Sequence, residues 1–488
     1  MNRSIVRFIV GRVFAAFALL LCFPLGVSLF YGENATHVTA WLIAIGLSLG
    51  CYLAFGRKKP SEMTFYAREG MVICALLWIL FSFVGGLPLY LTGEYPSLVD
   101  SFFEISSGLT TTGASVAQNV EVLSHSVIFW RSFTHLIGGM GVLVFFLALI
   151  PRASSSSVQI AKAEMPGPSF GKLVARLSDT ARILYGIYLG MTTILILLLV
   201  FAGMPLFDSI CHAFGTAGTG GFGIKAASIG YYTSPAIQWI ITIGMFVFGV
   251  NMNLYYFVLI GKARKMWEDE EFRWFLRIVL GMTGLIVIDL IARGYMTQGF
   301  EPVLRDAAFS LSSIISTTGY ATADFAKWPL FSRVILMLAM IIGGCGGSTA
   351  GGFKVSRIAI SLKAGLRSLV QTRHPRHVVP LQFNGETMNA STQKQLHGYT
   401  AVYIVLAILL LLIVTLDANT DSLETAMTTV LATFNNVGPG LGNVVGPTGN
   451  YFGFSPITKL VLSFGMIAGR LELWPVLILF APKTWRKH

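Results

Sequence analysis

Four short stretches of this chain repeat one arrangement of residues that could handle an ion. They read Asp100-SFFEISSGLT-TTG-Ala114, Asp208-SICHAFGTAG-TGG-Phe222, Asp306-AAFSLSSIIS-TTG-Tyr320 and Thr425-AMTTVLATFN-NVG-Pro439. In each, 13 positions separate the leading residue from the closing glycine: 100 to 113, 208 to 221, 306 to 319 and 425 to 438. The closing runs are Thr111-Thr112-Gly113, Thr219-Gly220-Gly221, Thr317-Thr318-Gly319 and Asn436-Val437-Gly438, and none contains an acid, a base or a thiol. What they offer is main-chain oxygen. Glycine permits backbone conformations that turn carbonyls toward a shared axis, and carbonyls so placed replace the hydration shell of a cation such as potassium. A ring of carboxylates, expected for calcium-type selectivity, is missing from all four runs. Any one of these glycine-rich runs could equally serve close helix packing, which is common in membrane bundles. Four matches in spacing and chemistry favour a pore.

Such loops need a scaffold that holds them at membrane depth. Irregular backbone is tolerated there only where protein buries it or water lines it. Spans of about 20 residues cross the hydrocarbon core, and the apolar stretches lie near 8–31, 38–56, 70–92, 126–150, 183–204, 234–261, 277–293, 329–359, 398–416 and 455–481. After the first two, each pair of spans brackets one of the four runs, so each unit reads as helix, short re-entrant helix, extended loop, helix. Pro96, Pro205 and Pro302 precede the leading aspartates by three or four residues. Proline suits a helix start, and an aspartate in the first turn complements the positive end of the helix dipole. The negative end then points into the membrane, where it favours a cation. The expected architecture is an all-α polytopic membrane protein. Four pseudo-symmetric helix–pore loop–helix repeats (61–175, 176–272, 273–390 and 391–488) surround a central pore, with an extra N-terminal helix pair over 1–60.

Composition agrees. The chain has 488 residues, 54% hydrophobic and 12% charged, against about a quarter charged in soluble proteins. The net charge of +12 sits in loops: Arg57-Lys58-Lys59; Lys262, Arg264 and Lys265; Lys354 through Arg376; and Lys483, Arg486 and Lys487. That is the positive-inside pattern rather than a nucleic-acid surface. With ten spans, both termini and these loops fall on the cytoplasmic face. The N-terminus resembles a signal peptide, but its apolar run is long enough to span and a second follows, so a retained anchor is the better reading. Five scattered cysteines have no zinc or redox spacing. A membrane-embedded enzyme would need acids, bases or metal ligands gathered at one depth, and His135, His212 and Asp289 are too dispersed in sequence to suggest one.

Two further features sit near the runs. Gly343-Gly-Cys-Gly-Gly-Ser-Thr-Ala-Gly-Gly352 interrupts a span. Glycine costs about 1 kcal/mol relative to alanine in a helix, so a broken helix competes here with a tightly packed helix face. Arg470 lies mid-span, where its charge must face a cavity or a partner such as Glu472. Arg131, nearer an outer end, reads as structural. Gly218-Thr-Gly220-Gly-Phe-Gly223 satisfies a dinucleotide-binding pattern only literally, since no βαβ unit surrounds it.

On Thr111-Thr112-Gly113, Thr219-Gly220-Gly221-Phe222-Gly223, Thr317-Thr318-Gly319-Tyr320 and Asn435-Asn436-Val437-Gly438-Pro439-Gly440, the chain resembles the Trk/Ktr/HKT superfamily of potassium transporters, TrkH/TrkG type, over nearly its whole length. The resemblance implies potassium uptake by a bacterial inner-membrane protein, with K+ bound at those filter residues as the transported ion and no covalent cofactor. It implies a homodimer and a cytosolic nucleotide-binding regulatory ring of the TrkA kind, through which alone nucleotides would act. It places an intramembrane gating loop at Gly343, Gly344, Gly346, Gly347, Gly351 and Gly352, with Arg470 projecting toward the pore beneath the filter. Glycine at 113, 221, 319 and 438 goes with potassium preference in that family. The charged loops 262–277 and 354–397 read by default as ordinary solvated faces; if such a ring docks, contact is expected in them and in 151–182. A proton- or sodium-coupled symporter of the same architecture is the alternative.

Overall fold

Length and apolarity decide which helices cross. In the computed structural model, which describes residues 1–60, 66–141, 177–296, 299–374 and 379–485, six helices are long and apolar enough to span. They are Arg3–Phe30, Ala35–Gly56, Ala67–Leu91, Thr180–Phe201, Glu270–Ala292 and Ala390–Val414. The first two form the extra pair and pack on the first repeat. Phe17 stacks on Phe81 with ring centroids 4.1 Å apart, and the Trp41 indole donates to Ser126 Oγ at 3.1 Å. The remaining four are the outer helices of the four repeats.

A re-entrant helix follows each outer helix: Leu98–Leu109, Leu206–Gly218, Phe300–Ile315 and Leu423–Phe434. Their 12 to 16 residues reach ~18–24 Å, short of the ~30 Å core. Ser97 and Ser422 cap the first and fourth, each accepting the N–H of the residue three further on. Asp100 and Asp208 lie in the first turn as expected. Asp306 does not. The third helix begins at Phe300, earlier than its proline suggested, so Glu301 takes the first turn and Asp306 the second.

The inner helices differ more from expectation. The spans read over 126–150, 234–261, 329–359 and 455–481 are all interrupted or cut short, not the third alone. His125–Gly139, Pro235–Phe248, Leu330–Ile342 and Pro456–Arg470 each stop after 13 to 15 residues. The second bends by 97° into Met252–Leu259. The third gives way to irregular backbone before Val355–Arg373, and the fourth breaks at Glu472 and Leu473, both at positive φ, before Trp474–Phe480. The continuation of the first beyond residue 141, and most of the 151–182 loop, lie outside the described residues. Glycine at the breaks weakens the helix, and the freed carbonyls gain partners from other repeats. Cys345 N–H donates to Gly249 O at 3.0 Å, for example.

The first and fourth repeats meet, so the arrangement closes on itself. Lys459 on the fourth inner helix pairs with Asp100 on the first re-entrant helix at 2.5 Å, both side chains buried. Arg3 donates to Trp485 O at 3.2 Å, which brings the two ends of the chain together. The one departure from an all-α chain among the described residues is a small antiparallel hairpin, Gln382–Phe383 with Glu386–Thr387.

Candidate functional site

Every re-entrant helix ends in the same way. The N–H of Thr112, Gly220, Thr318 and Val437 bonds back to the carbonyl five residues earlier, at 2.7–2.8 Å. This is the Schellman helix ending, whose preceding residue must be left-handed. That residue is usually glycine, but here it is Thr111, Thr219, Thr317 and Asn436, at φ 53, 54, 58 and 59. A β-branched residue in that region is a rare outlier that costs about 1–3 kcal/mol. Three of them at equivalent positions mark a conformation imposed by the surrounding structure. The glycines two residues on, Gly113, Gly221, Gly319 and Gly438, are left-handed as well, at φ 77, 76, 85 and 98. The sequence reading assigned the unusual backbone to glycine alone and missed the threonines.

The four loops form a closed ring. A Cβ on Gly113 would fall on the carbonyl oxygen of Gly220, and one on Gly221 on that of Thr318. One on Gly319 would fall on the oxygen of Val437, and one on Gly438 on that of Thr112. Each closing glycine therefore abuts the middle residue of the next repeat, in the order one, two, three, four, one. All twelve expected filter residues lie in this ring. On one side it opens to a vestibule of about 110 Å³ whose lining includes the four closing glycines, Arg131 and Lys225.

Side chains around the ring fix it. His135 lies within 2.8 Å of the Gly108 carbonyl through Nδ1 and accepts the Phe222 N–H at Nε2, 3.2 Å. A carbonyl only accepts and an N–H only donates, so the imidazole carries its proton on Nδ1 alone. His212 and Tyr320 are neighbours at 3.3 Å, and the Tyr451 hydroxyl donates to Gly438 O at 2.8 Å. The histidines thus brace two adjoining loops. Their distance apart in sequence concealed this, and nothing local to Tyr451 signals its contact.

Arg131 is buried beside the vestibule. It pairs with Glu104 at 2.7 Å, donates to Ser115 Oγ at 3.2 Å, and stacks 4.2 Å from the Phe222 ring centre. Glu104 in turn accepts the Val116 N–H at 2.8 Å. The pair ties the exits of the first two loops together, a role the Glu104 of the first repeat could have signalled. Breaking a buried pair leaves an uncompensated charge at a cost of about 3–5 kcal/mol. Glu104→Gln is therefore expected to lower the thermal unfolding midpoint in detergent sharply. Adding Arg131→Met should recover part of the loss.

Beneath the ring runs the segment 343–352. Gly351 N–H donates to Thr317 Oγ1 at 2.6 Å and Gly352 N–H to Asn435 O at 3.0 Å, so the segment touches the third and fourth loops on the side away from the vestibule. Thr349 Oγ1 donates to Phe248 O at 3.1 Å on the second repeat. Arg470 completes the crossing, donating to Thr349 O at 2.6 Å and to Gly138 O and Gly139 O at 2.8 and 2.6 Å. Glu472, weighed from the sequence as its partner, pairs with Arg357 at 2.7 Å instead. Of the two readings of the glycine run, the broken helix is the one observed. Gly343, Gly344, Gly346, Gly347, Gly351 and Gly352 all lie in non-helical backbone.

Four re-entrant loops ringed at the centre of broken inner helices define a multi-pass membrane protein built to pass an ion. Residues 36–487 match the family described as TrkH, cation transport protein. The chain is 36% identical over 490 residues to the Trk system potassium uptake protein TrkH of Salmonella typhimurium, covering 99% of both chains. To the Trk system potassium uptake protein TrkG of Escherichia coli it is 33% identical over 493 residues, covering 100% of both. The crystal structure of the potassium transporter TrkH from Vibrio parahaemolyticus superposes with a TM-score of 0.87 at 32% identity, covering all of both chains. This chain belongs to the TrkH family of cation transport proteins, a family of transporters and not of enzymes.

Proposed function

We propose that this chain takes up potassium across a bacterial inner membrane through a channel-like pore. Potassium sheds water in the outer vestibule and is coordinated by main-chain oxygens of Thr111, Thr112, Gly113, Thr219, Gly220, Gly221, Thr317, Thr318, Gly319, Asn436, Val437 and Gly438. The closed ring of four equivalent left-handed loops carries the reading. Strain repeated at three threonines would not persist for packing alone, and it serves to aim carbonyls at one axis. The relatives named as potassium uptake proteins support the ion.

The segment 343–352 with Arg470 acts as the gate. It lies across the inner side of the ring, joins all four repeats, and adds a positive charge that opposes a passing cation. The membrane potential suffices to drive uptake. Each charge gains ~2.3 kcal/mol per 100 mV, so ~150 mV supports an inward gradient of a few hundredfold, and no co-substrate is required.

Both termini and the basic loops face the cytoplasm in this reading, supported by the contact of Arg3 with Trp485. A homodimer and a cytosolic nucleotide-binding ring of the TrkA kind are the partners implied by the family resemblance. The test is flux in proteoliposomes of the purified chain, with and without such a ring. Potassium or rubidium entry exceeding sodium entry is expected. Equal entry of sodium, or flux that stops when sodium or a proton gradient is withdrawn, would overturn the filter or the uncoupled mechanism respectively.

A further inference from the structure

One buried acid links the gate to the cytoplasmic surface. Glu271 lies in the first turn of Glu270–Ala292 with 7% of its surface exposed. Its Oε1 accepts two main-chain N–H groups at once, Gly346 at 2.8 Å and Ser356 at 3.0 Å. The first belongs to the segment beneath the filter, and the second to the helix that leaves it. These bonds hold both ends of the irregular stretch against one carboxylate.

The two residues before Glu271 hold something else. Asn384, at the tip of the small hairpin, donates through its N–H to Glu270 Oε2 at 3.1 Å and through Nδ2 to Asp269 Oδ2 at 3.0 Å, and its Oδ1 accepts the Glu270 N–H at 2.6 Å. Asn384 and Gly385 are both left-handed, at φ 52 and 78, as a two-residue hairpin turn requires. Lys363, on the helix leaving the gate, pairs with Glu270 and donates to Gln382 O at 3.0 Å. The hairpin, the helix start and the gate-exit helix thus form one hydrogen-bonded cluster. Its outer members are exposed and Glu271 is its buried end.

We infer that Glu271 is the positioning residue that latches the gating segment closed, and that the hairpin 382–387 is the exposed handle that sets the latch. This rests on the reading of 343–352 as the gate. A cytosolic partner that draws Asn384 from Asp269 and Glu270 would loosen the helix start. The two N–H bonds to Glu271 would then weaken with it. A hydrogen bond to a charged group is worth enough to change an equilibrium about tenfold when lost, and here two share one acceptor.

Cys345, buried inside the segment, gives a readout separate from transport. The full chain, with Cys22, Cys51, Cys74 and Cys211 replaced by serine or alanine, is reconstituted and treated with a small thiol reagent while rubidium flux is followed in parallel. Glu271→Ala is expected to raise the Cys345 labelling rate about tenfold or more, and Glu271→Gln less. Asn384→Ala, which touches nothing in the segment, should raise labelling too, and flux should rise in step. Unchanged labelling in folded Glu271→Ala overturns the latch, and unchanged labelling in Asn384→Ala overturns the handle. If Glu271→Ala does not fold, Glu271→Gln and the surface variant Asn384→Ala decide. Labelling that rises without any change in flux upholds the latch and overturns the gate reading beneath it.

Discussion

Gly113→Ser is expected to reduce the preference for potassium over sodium at least tenfold while leaving a folded protein. Gly113 sits at φ 77, where any side chain is strained by about 1–2 kcal/mol. The larger effect is steric, because the new Cβ would fall on the carbonyl oxygen of Gly220 in the next repeat. That oxygen must move, and it belongs to the ring proposed to replace water around the ion. Equivalent clashes recur around the ring, so Gly221→Ser, Gly319→Ser and Gly438→Ser should lose preference in the same direction. Gly93 is the control: it too has positive φ, at 79, but nothing stands within 4 Å of its added Cβ. Gly93→Ala should leave selectivity unchanged. If the glycines served only close packing, Gly113→Ser would change thermal stability and not the ratio of ion fluxes. Competing rubidium and sodium uptake in proteoliposomes separates the two outcomes.

Arg470→Ala is expected to raise potassium flux about tenfold or more in the absence of any regulatory partner. The guanidinium donates to three carbonyls on two other repeats, Gly138, Gly139 and Thr349. Losing even one charge-assisted bond of about 1.5–3 kcal/mol shifts a closed segment toward open roughly tenfold. Removing the positive charge from beneath the proposed filter acts in the same direction. Arg470→Lys keeps the charge but not the planar fork that reaches three acceptors. Its flux should lie between wild type and Arg470→Ala. Flux unchanged in Arg470→Ala would mean that the bonds brace the fold without holding a gate.

How much of this was legible in the sequence depended on whether the cause was local. The 13-residue period was visible because it is set within each repeat by a short helix and its ending. The identity of the twelve ring residues followed from it. The left-handed threonines were invisible, since β-branched residues disfavour that conformation and only the assembled ring imposes it. The other three inner helices read as full spans because apolar composition measures burial and not continuity. Their breaks are satisfied by distant partners, as when Gly249 O receives the Cys345 N–H. Arg470 misled for the same reason: Glu472 is two residues away in sequence, yet the groups that receive its protons are 121 to 332 residues distant. The hairpin carried a local signal, Asn384-Gly385, but it lay inside a charged segment read as an ordinary loop.

The central claim is that the four loops make one cation site, and ion density tests it most directly. Crystals of the full chain grown in potassium would be soaked in rubidium or thallium, and the anomalous signal collected around the ring. Peaks are expected on the axis enclosed by the carbonyls of Thr112, Gly220, Thr318 and Val437, absent when sodium alone is present. A well-ordered ring with no anomalous density on its axis in rubidium or thallium would contradict it.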